Sequence, residues 1–245
     1  MELQKFKKSV IKMRVLAIIP CFNEWQSIEN TVENLKAKAQ DVDFVVVNDG
    51  SWDDTYEVCT QNGYPVVNLP FNLGLANAVQ TGMRYAYNND YDMALQFDGD
   101  GQHLPEYISE MIGLMSETSA DIIIGSRYLQ KRSGSMRSVG MLLLRLAVLV
   151  ATGRKLSDPT SGMRLFNRKM IERFAVQMNY GPEPDTLVYL INQGAKVLEL
   201  PVAMQERKAG KSYLGALNAA NYMLRMFVSI IIVQWFRVKE KEGEI

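Results

Sequence analysis

A chain of 245 residues can bury one sizeable α/β core or two small ones, and its 47% hydrophobic and 22% charged content is that of a globular protein. Lys+Arg and Asp+Glu balance at 27 each, so no overall basic field points to nucleic acid. One histidine, His103, excludes a multi-histidine zinc site, and Cys21 and Cys59, each in or beside an apolar run, read as reduced core thiols of a cytosolic protein.

Lys5, Lys7, Lys8 and Lys12 make the N-terminus basic, but it lacks the apolar core of a secretory signal. Arg14–Pro20 (RVLAIIP) is then an unbroken apolar, β-rich run that predicts a buried strand. Ile28, Val32, Leu35 and Ala39 recur at helical spacing within Ser27–Ala39. Phe44–Val47 is the next strand, ending in Asn48-Asp49-Gly50-Ser51, and Ser51 with Asp54 forms a capping-box pattern opening a helix through Cys59. Strand Val66–Leu69, helix Leu75–Tyr87, strand Met93–Phe97, helix Pro105–Met115 and strand Asp121–Gly125 follow. This order predicts an α/β, Rossmann-like, doubly wound and mainly parallel sheet, with ligands outside the carboxyl ends of the strands. Beyond Arg127 the alternation breaks, with a last strand at Lys196–Val202 and one or two helices from Tyr213.

The polar clusters fall where such a sheet puts its ligands. Asp98-Gly99-Asp100 ends the fourth strand in a Gly-rich turn. Its paired carboxylates suit a hard cation such as Mg²⁺ or Mn²⁺ that would neutralise a diphosphate, with Gln102 and His103 as further ligands. The alternative is a solvated polar turn. Glu24 after the first strand can accept hydrogen bonds from a ribose or base beside Phe22, and Asp49 has the place where nucleotide folds hold a base or ribose. A helix-capping turn and an Asn-Asp-Gly-Ser turn are the plainer readings of these two. Arg127 could hold phosphate bidentately, and Arg207 and Lys211, flanking Gly210, could close over a diphosphate. No phosphate loop and no G-x-G-x-x-G is present, which weakens kinase and dehydrogenase readings.

Taken in order, Pro20–Glu24, Asn48–Ser51, Asp98–His103, Gly125-Ser126-Arg127, Asp158–Arg164 and Arg207–Ser212 resemble the signature of family 2 glycosyltransferases, in the branch that transfers sugars to polyprenyl phosphates. The resemblance spans roughly residues 14–212. It implies a GT-A fold and inverting transfer from a nucleoside-diphosphate sugar. Carried over by motif, Pro20, Phe22, Glu24, Val47 and Asp49 hold the nucleoside, and Asp98, Gly99 and Asp100 serve the donor. Asp100 and Gln102 take the metal, Arg127, Arg207 and Lys211 meet phosphates, and Ser135 with Arg137 holds the acceptor phosphate. Phe22 stands where tyrosine is common and Asn48 where an aspartate is common. Many relatives carry C-terminal spanning helices; others depend on a small integral membrane protein, which is the partner implied here.

No run reaches the roughly 18–20 apolar residues of a spanning helix. Val139–Thr152 and Met226–Phe236 instead suit helices lying in a membrane interface, although a purely core role is the plainer reading. The expected organisation is a basic segment (1–13), a transferase domain (14–212), and membrane-associating helices with a charged tail (213–245). The expected function is transfer of a hexose or N-acetylhexosamine to undecaprenyl-type phosphate for bacterial surface glycans, by a peripheral enzyme on the cytoplasmic face of the membrane, with homo-oligomer formation left open. Transfer to a glycan hydroxyl with Glu183 or Asp185 as base, nucleotidyl transfer, and a non-catalytic nucleotide-sugar-binding scaffold are the rivals.

Overall fold

Every residue of Val15–Cys21 (β1) is buried, which requires a strand covered on both faces. Its side chains divide by the pleat: Leu16 and Ile18 enter one apolar cluster, and Val15, Ala17 and Ile19 enter a second on the opposite face. The computed structural model describes residues 13–127, 136–176, 181, 183–205 and 216–232, with the backbone alone for 136–139 and 216–220.

Ile28–Lys38 (α1), Val42–Asn48 (β2), Thr55–Gln61 (α2), Val66–Asn68 (β3), Leu75–Asn88 (α3) and Met93–Gln96 (β4) continue the alternation. A 3-10 turn at Pro105–Tyr107 leads into Ile108–Thr118 (α4), then Ile122–Ser126 (β5) and Met136–Thr152 (α5). Arg164–Asn167 (β6), Arg168–Val176 (α6), Pro184–Asn192 (α7), Val197–Pro201 (β7) and Ala216–Ile231 (α8) complete the described elements.

The strands form one sheet in the order β3-β2-β1-β4-β6-β5-β7. Strands β1 to β4 run parallel, as does β7 beside β5, so the sheet is doubly wound and mainly parallel, as the alternation predicts. The strand order reverses between β1 and β4, and this switch point opens a crevice at their carboxyl ends.

Three features depart from the sequence reading. Strand β6 is absent from it, and runs antiparallel between β4 and β5 with Gln96 opposite Arg164. Its entry is therefore brought beside the exit of β4. The Ser51–Asp54 capping box does not form: Asp54 makes no side-chain cap bond, and the Thr55 N–H goes to Asp53 Oδ1 at 3.0 Å. Ser51 is drawn instead to Asn48 and to the N–H of Asn23. Helices α6 and α7 also emerge where the sequence reading assigned no element; Met170, Ile171 and Phe174 bury one face of α6.

Candidate active site

The loops leaving β1 and β2 are clasped together over the switch point. Asn23 has φ 57, a left-handed conformation that asparagine tolerates. Its N–H donates to Ser51 Oγ at 2.9 Å, and its Oδ1 accepts the Trp52 N–H at 3.1 Å. The Glu24 N–H donates to Thr55 Oγ1 at 2.9 Å, while its carboxylate accepts from Ser27 Oγ at 2.6 Å. Phe22 lies edge to face with Trp52, centroids 4.9 Å apart.

Asp49 is drawn inward. Only 3% exposed, it accepts the Leu73 and Gly74 N–H groups, each at 2.8 Å. The carboxylate read as a base or ribose ligand thus fastens the loop between β3 and α3. Gly50 is required beside it: its φ is +65, and a Cβ would stand 2.3 Å from the Phe71 carbonyl carbon. The Val47 side chain belongs to the core, and its carbonyl accepts the Cys21 thiol at 3.6 Å. The Pro20 carbonyl accepts the Gly99 N–H at 3.3 Å, tying the exit of β1 to that of β4.

The turn after β4 is folded back by His103. This imidazole is 4% exposed, and its Nδ1 accepts the Asp98 N–H at 2.9 Å with Nε2 3.6 Å from Asp98 Oδ2. His103 is thereby used within the turn rather than offered outward as a ligand. Gln96 Nε2 donates to Asp98 Oδ1 at 3.0 Å, and Asp100 Oδ1 accepts the Gln102 N–H at 3.0 Å. Gly101 has φ +75, and Thr31 Oγ1 donates to the Gly99 carbonyl at 3.1 Å. Gln102 Nε2 donates to the Gln205 carbonyl at 3.3 Å, and its own carbonyl accepts the Gln205 N–H at 3.0 Å.

From the other side comes the turn that enters β6. A Cβ at Gly162 would lie 2.5 Å from Asp98 Oδ2. Arg164, 2% exposed, holds this turn by donating from Nε to the Ser161 carbonyl at 2.8 Å and from Nη2 to the Pro159 carbonyl at 2.7 Å. Burial pulls its pKa below the usual arginine value, opposed by Tyr222, Glu183, Asp158 and Asp98 around it. Arg127, just past β5, is paired with buried Asp158, Nε to Oδ2 at 2.7 Å and Nη2 to Oδ1 at 2.9 Å. Glu199 on β7 accepts the Ser157 and Asp158 N–H groups at 2.7 and 2.8 Å, which sets the direction of the aspartate.

Among the described residues, no group of three or more His, Cys, Asp or Glu is placed to hold a metal ion. Asp98 and Asp100 are the paired carboxylates of the turn that leaves β4. A one- or two-carboxylate set, completed by phosphate oxygens and water, is the habit of Mg²⁺ and fits Mn²⁺ equally, so the donor chemistry accepts such an ion. Arg207, Lys211 and Ser135 lie outside the described residues. Arg137 is on the first turn of α5, its side chain likewise outside the description.

The structure brings together Phe22, Glu24, Asp98, Asp100 and Gln102 around the crevice end of β1 and β4. Asp158 and Arg164 bound a motif that sequence reasoning picked out without giving either residue a role, and Glu199 was not picked out at all. Glu199 gives no local signal, since a lone carboxylate in a half-buried strand reads as a solvated edge.

Residues 16–174 match the model of the family described as Glycosyl transferase family 2. The chain is 30% identical over 218 residues to the undecaprenyl-phosphate mannosyltransferase of Micrococcus luteus, covering 82% of this chain and 87% of that protein. It is 27% identical over 229 residues to the polyprenol monophosphomannose synthase of Mycolicibacterium smegmatis, covering 87% and 85%. The fold is shared with the glucosyl-3-phosphoglycerate synthase of Mycobacterium tuberculosis, solved with Mn²⁺, UDP and glucosyl-3-phosphoglycerate: TM-score 0.66, 17% identity, 94% of this chain and 82% of that one.

Proposed function

This chain belongs to glycosyl transferase family 2, and from that premise we propose that it transfers a monosaccharide, with inversion, from a nucleoside-diphosphate sugar to a polyprenyl phosphate at a membrane surface. The relatives named for transfer to undecaprenyl or polyprenyl phosphate support the acceptor class. The observation that carries the reading is a pair of exposed apolar stripes at α5 and α8, two helices that pack against each other. Leu142, Leu143, Leu146 and Val150 form one stripe, and Leu224, Val228 and Ile232 the other. Leu142 is 64% and Val150 71% exposed, a density of solvated aliphatic groups that monomeric proteins avoid without a purpose. Arg154 and Lys155, just after α5, and Arg225 on α8 are exposed, and such cations suit anionic headgroups.

Among the described residues no helix is long and apolar enough to cross a membrane. The stripes therefore suit peripheral seating, on the cytoplasmic face where nucleotide sugars are available, with residues 14–212 as the transferase domain and 213–245 as the membrane-associating segment. A small integral membrane partner would sit against the same stripes.

In this reading Pro20, Phe22 and Glu24 bind the nucleoside, with Val47 acting through its main chain and Asp49 by holding the loop over it. Asp98, Gly99 and Asp100 face the donor sugar and diphosphate, and Asp100 with Gln102 holds Mg²⁺ or Mn²⁺. Such an ion, when bound, neutralises the departing diphosphate. Arg127, Arg207 and Lys211 orient phosphates, and Ser135 with Arg137 holds the acceptor phosphate. An oxygen of the lipid phosphate forms the new bond to the anomeric carbon as the bond to the nucleoside diphosphate breaks. That oxygen is already anionic, so no base is required. Positioning and charge stabilisation supply the rate.

The test is incubation with labelled nucleotide sugars, Mg²⁺ or Mn²⁺ and undecaprenyl phosphate in liposomes, followed by solvent extraction. Label is expected in the lipid phase with wild type and not with Asp100→Ala. With a surface polysaccharide added as a competing acceptor, label appearing only on that polysaccharide would overturn the acceptor assignment, and full activity of Asp100→Ala would remove the metal assignment. Dependence on an added membrane extract, where pure liposomes fail, would identify the partner requirement.

A further inference from the structure

Trp52 is 82% exposed, more than any other large hydrophobic side chain among the described residues. A solvated indole at the tip of a turn adds little to the core, and its open face is free to stack on a ring. Its place is fixed all the same. Its N–H is held by Asn23 Oδ1 and the preceding Ser51 is bonded to both Asn23 and Asn48, so the turn is anchored to the loop carrying Phe22 and Glu24. The two rings stand at 88° with centroids 4.9 Å apart, forming a corner with one wall from each loop. A planar ring stacked on one wall presents its edge to the other, the two geometries that aromatic groups prefer. Glu24, next but one to Phe22, is the hydrogen-bond acceptor at hand for the polar rim of such a ring.

We infer that Trp52 is a binding residue for the nucleobase of the donor, forming with Phe22 an L-shaped aromatic corner that grips a heteroaromatic ring. This rests on the nucleotide-sugar reading above and adds to it a residue that sets donor affinity. The side chain acts on binding and not on bond making, because it lies at the opposite end of the donor from the anomeric carbon.

The experiment compares wild type, Trp52→Ala and Trp52→Phe in steady-state transfer and in direct binding of UDP, GDP and pyrophosphate. Base–aromatic stacking removed by alanine corresponds to a donor KM raised about tenfold, with kcat changed far less. Trp52→Phe should recover most of the loss. Pyrophosphate, which has no base, should bind all three proteins alike, an outcome that general damage to the site would not produce. Indole emission should be quenched by the nucleoside diphosphate in wild type, and the quench reduced in Trp52→Phe. An unchanged donor KM with undiminished quenching in the variants overturns the inference and leaves the donor reading intact. Reduced binding of Trp52→Ala to anionic vesicles, with donor KM unchanged, overturns it in favour of a membrane anchor. If wild type binds neither nucleotide and transfers no sugar, the donor reading falls and this inference with it.

Discussion

Arg127 meets Asp158 through two parallel contacts, Nε to Oδ2 at 2.7 Å and Nη2 to Oδ1 at 2.9 Å, and its own N–H reaches the same Oδ2 at 3.2 Å. The aspartate is fully buried, while the arginine side chain stays 37% exposed. The pair therefore faces outward through its cation, with Glu199 fixing the anion from behind through two main-chain N–H groups. An arginine held in this way is oriented before substrate arrives.

Asp158→Ala tests that arrangement. It leaves several donors without their buried acceptor, which costs about 2–4 kcal/mol, or a Tm lower by about 5–15 °C in a chain of this size. Asp158→Asn should fold better yet lose at least about tenfold in kcat/KM, since a neutral amide cannot accept the two-point fork. Differential scanning calorimetry and transfer kinetics read the two effects separately. Wild-type behaviour of both variants would remove this pair from the site.

Gly162 sets a different kind of constraint. A methyl group there would stand 2.5 Å from Asp98 Oδ2, and the atom in its way is the mobile end of a side chain. Gly162→Ala should therefore cost little stability, because the carboxylate can swing aside. In doing so it would leave Gln96 Nε2 and the donor. The expectation is a Tm within about 2 °C of wild type and activity down by about tenfold or more, from the loss of a positioned charge in the site. Equal activity would mean that the position of the Asp98 carboxylate does not govern transfer.

The first half of the fold could be read from the sequence because each strand there is a continuous apolar run and each crevice loop a polar cluster behind it. The clusters at Pro20–Glu24 and Asp98–His103 were found for that reason, and the sheet brings them to one crevice. Strand β6 could not be read this way. Its first residue is the buried cation Arg164, and its place between β4 and β5 depends on partners some seventy and forty residues away in sequence. Asp49 shows the same limit at the level of one side chain. An exposed ligand and a buried clamp look alike in sequence, and the Leu73 and Gly74 N–H groups that decide the matter lie on the next loop but one. Ser51 satisfied the local rule for a helix cap and was claimed by a tertiary contact instead.

Glu183 and Asp185, which a hydroxyl acceptor would need as bases, are committed to another task. Glu183 accepts the Tyr222 hydroxyl, and Asp185 accepts Ser229 Oγ at 2.7 Å and the Thr186 N–H at 2.8 Å. Both carboxylates thereby bind α8 to the entry of α7. Burial, with Glu183 beside it, pushes the Tyr222 phenol far above its ordinary pKa, so the phenol remains a donor at working pH. A folded-state pKa raised in this way supports the fold fully below the unfolded value of about 10, and the support is lost as pH climbs beyond it. Glu183→Gln and Asp185→Asn should accordingly keep kcat within about threefold when donor and lipid saturate, since neither residue moves a proton in the reaction. Their deficit should appear as a lower Tm and a weaker lipid dependence, through a loosened α8. A kcat lower by a hundredfold or more, at unchanged Tm and unchanged donor KM, would show that one of these carboxylates takes a proton from an attacking hydroxyl. The acceptor would then be a sugar and not a lipid phosphate.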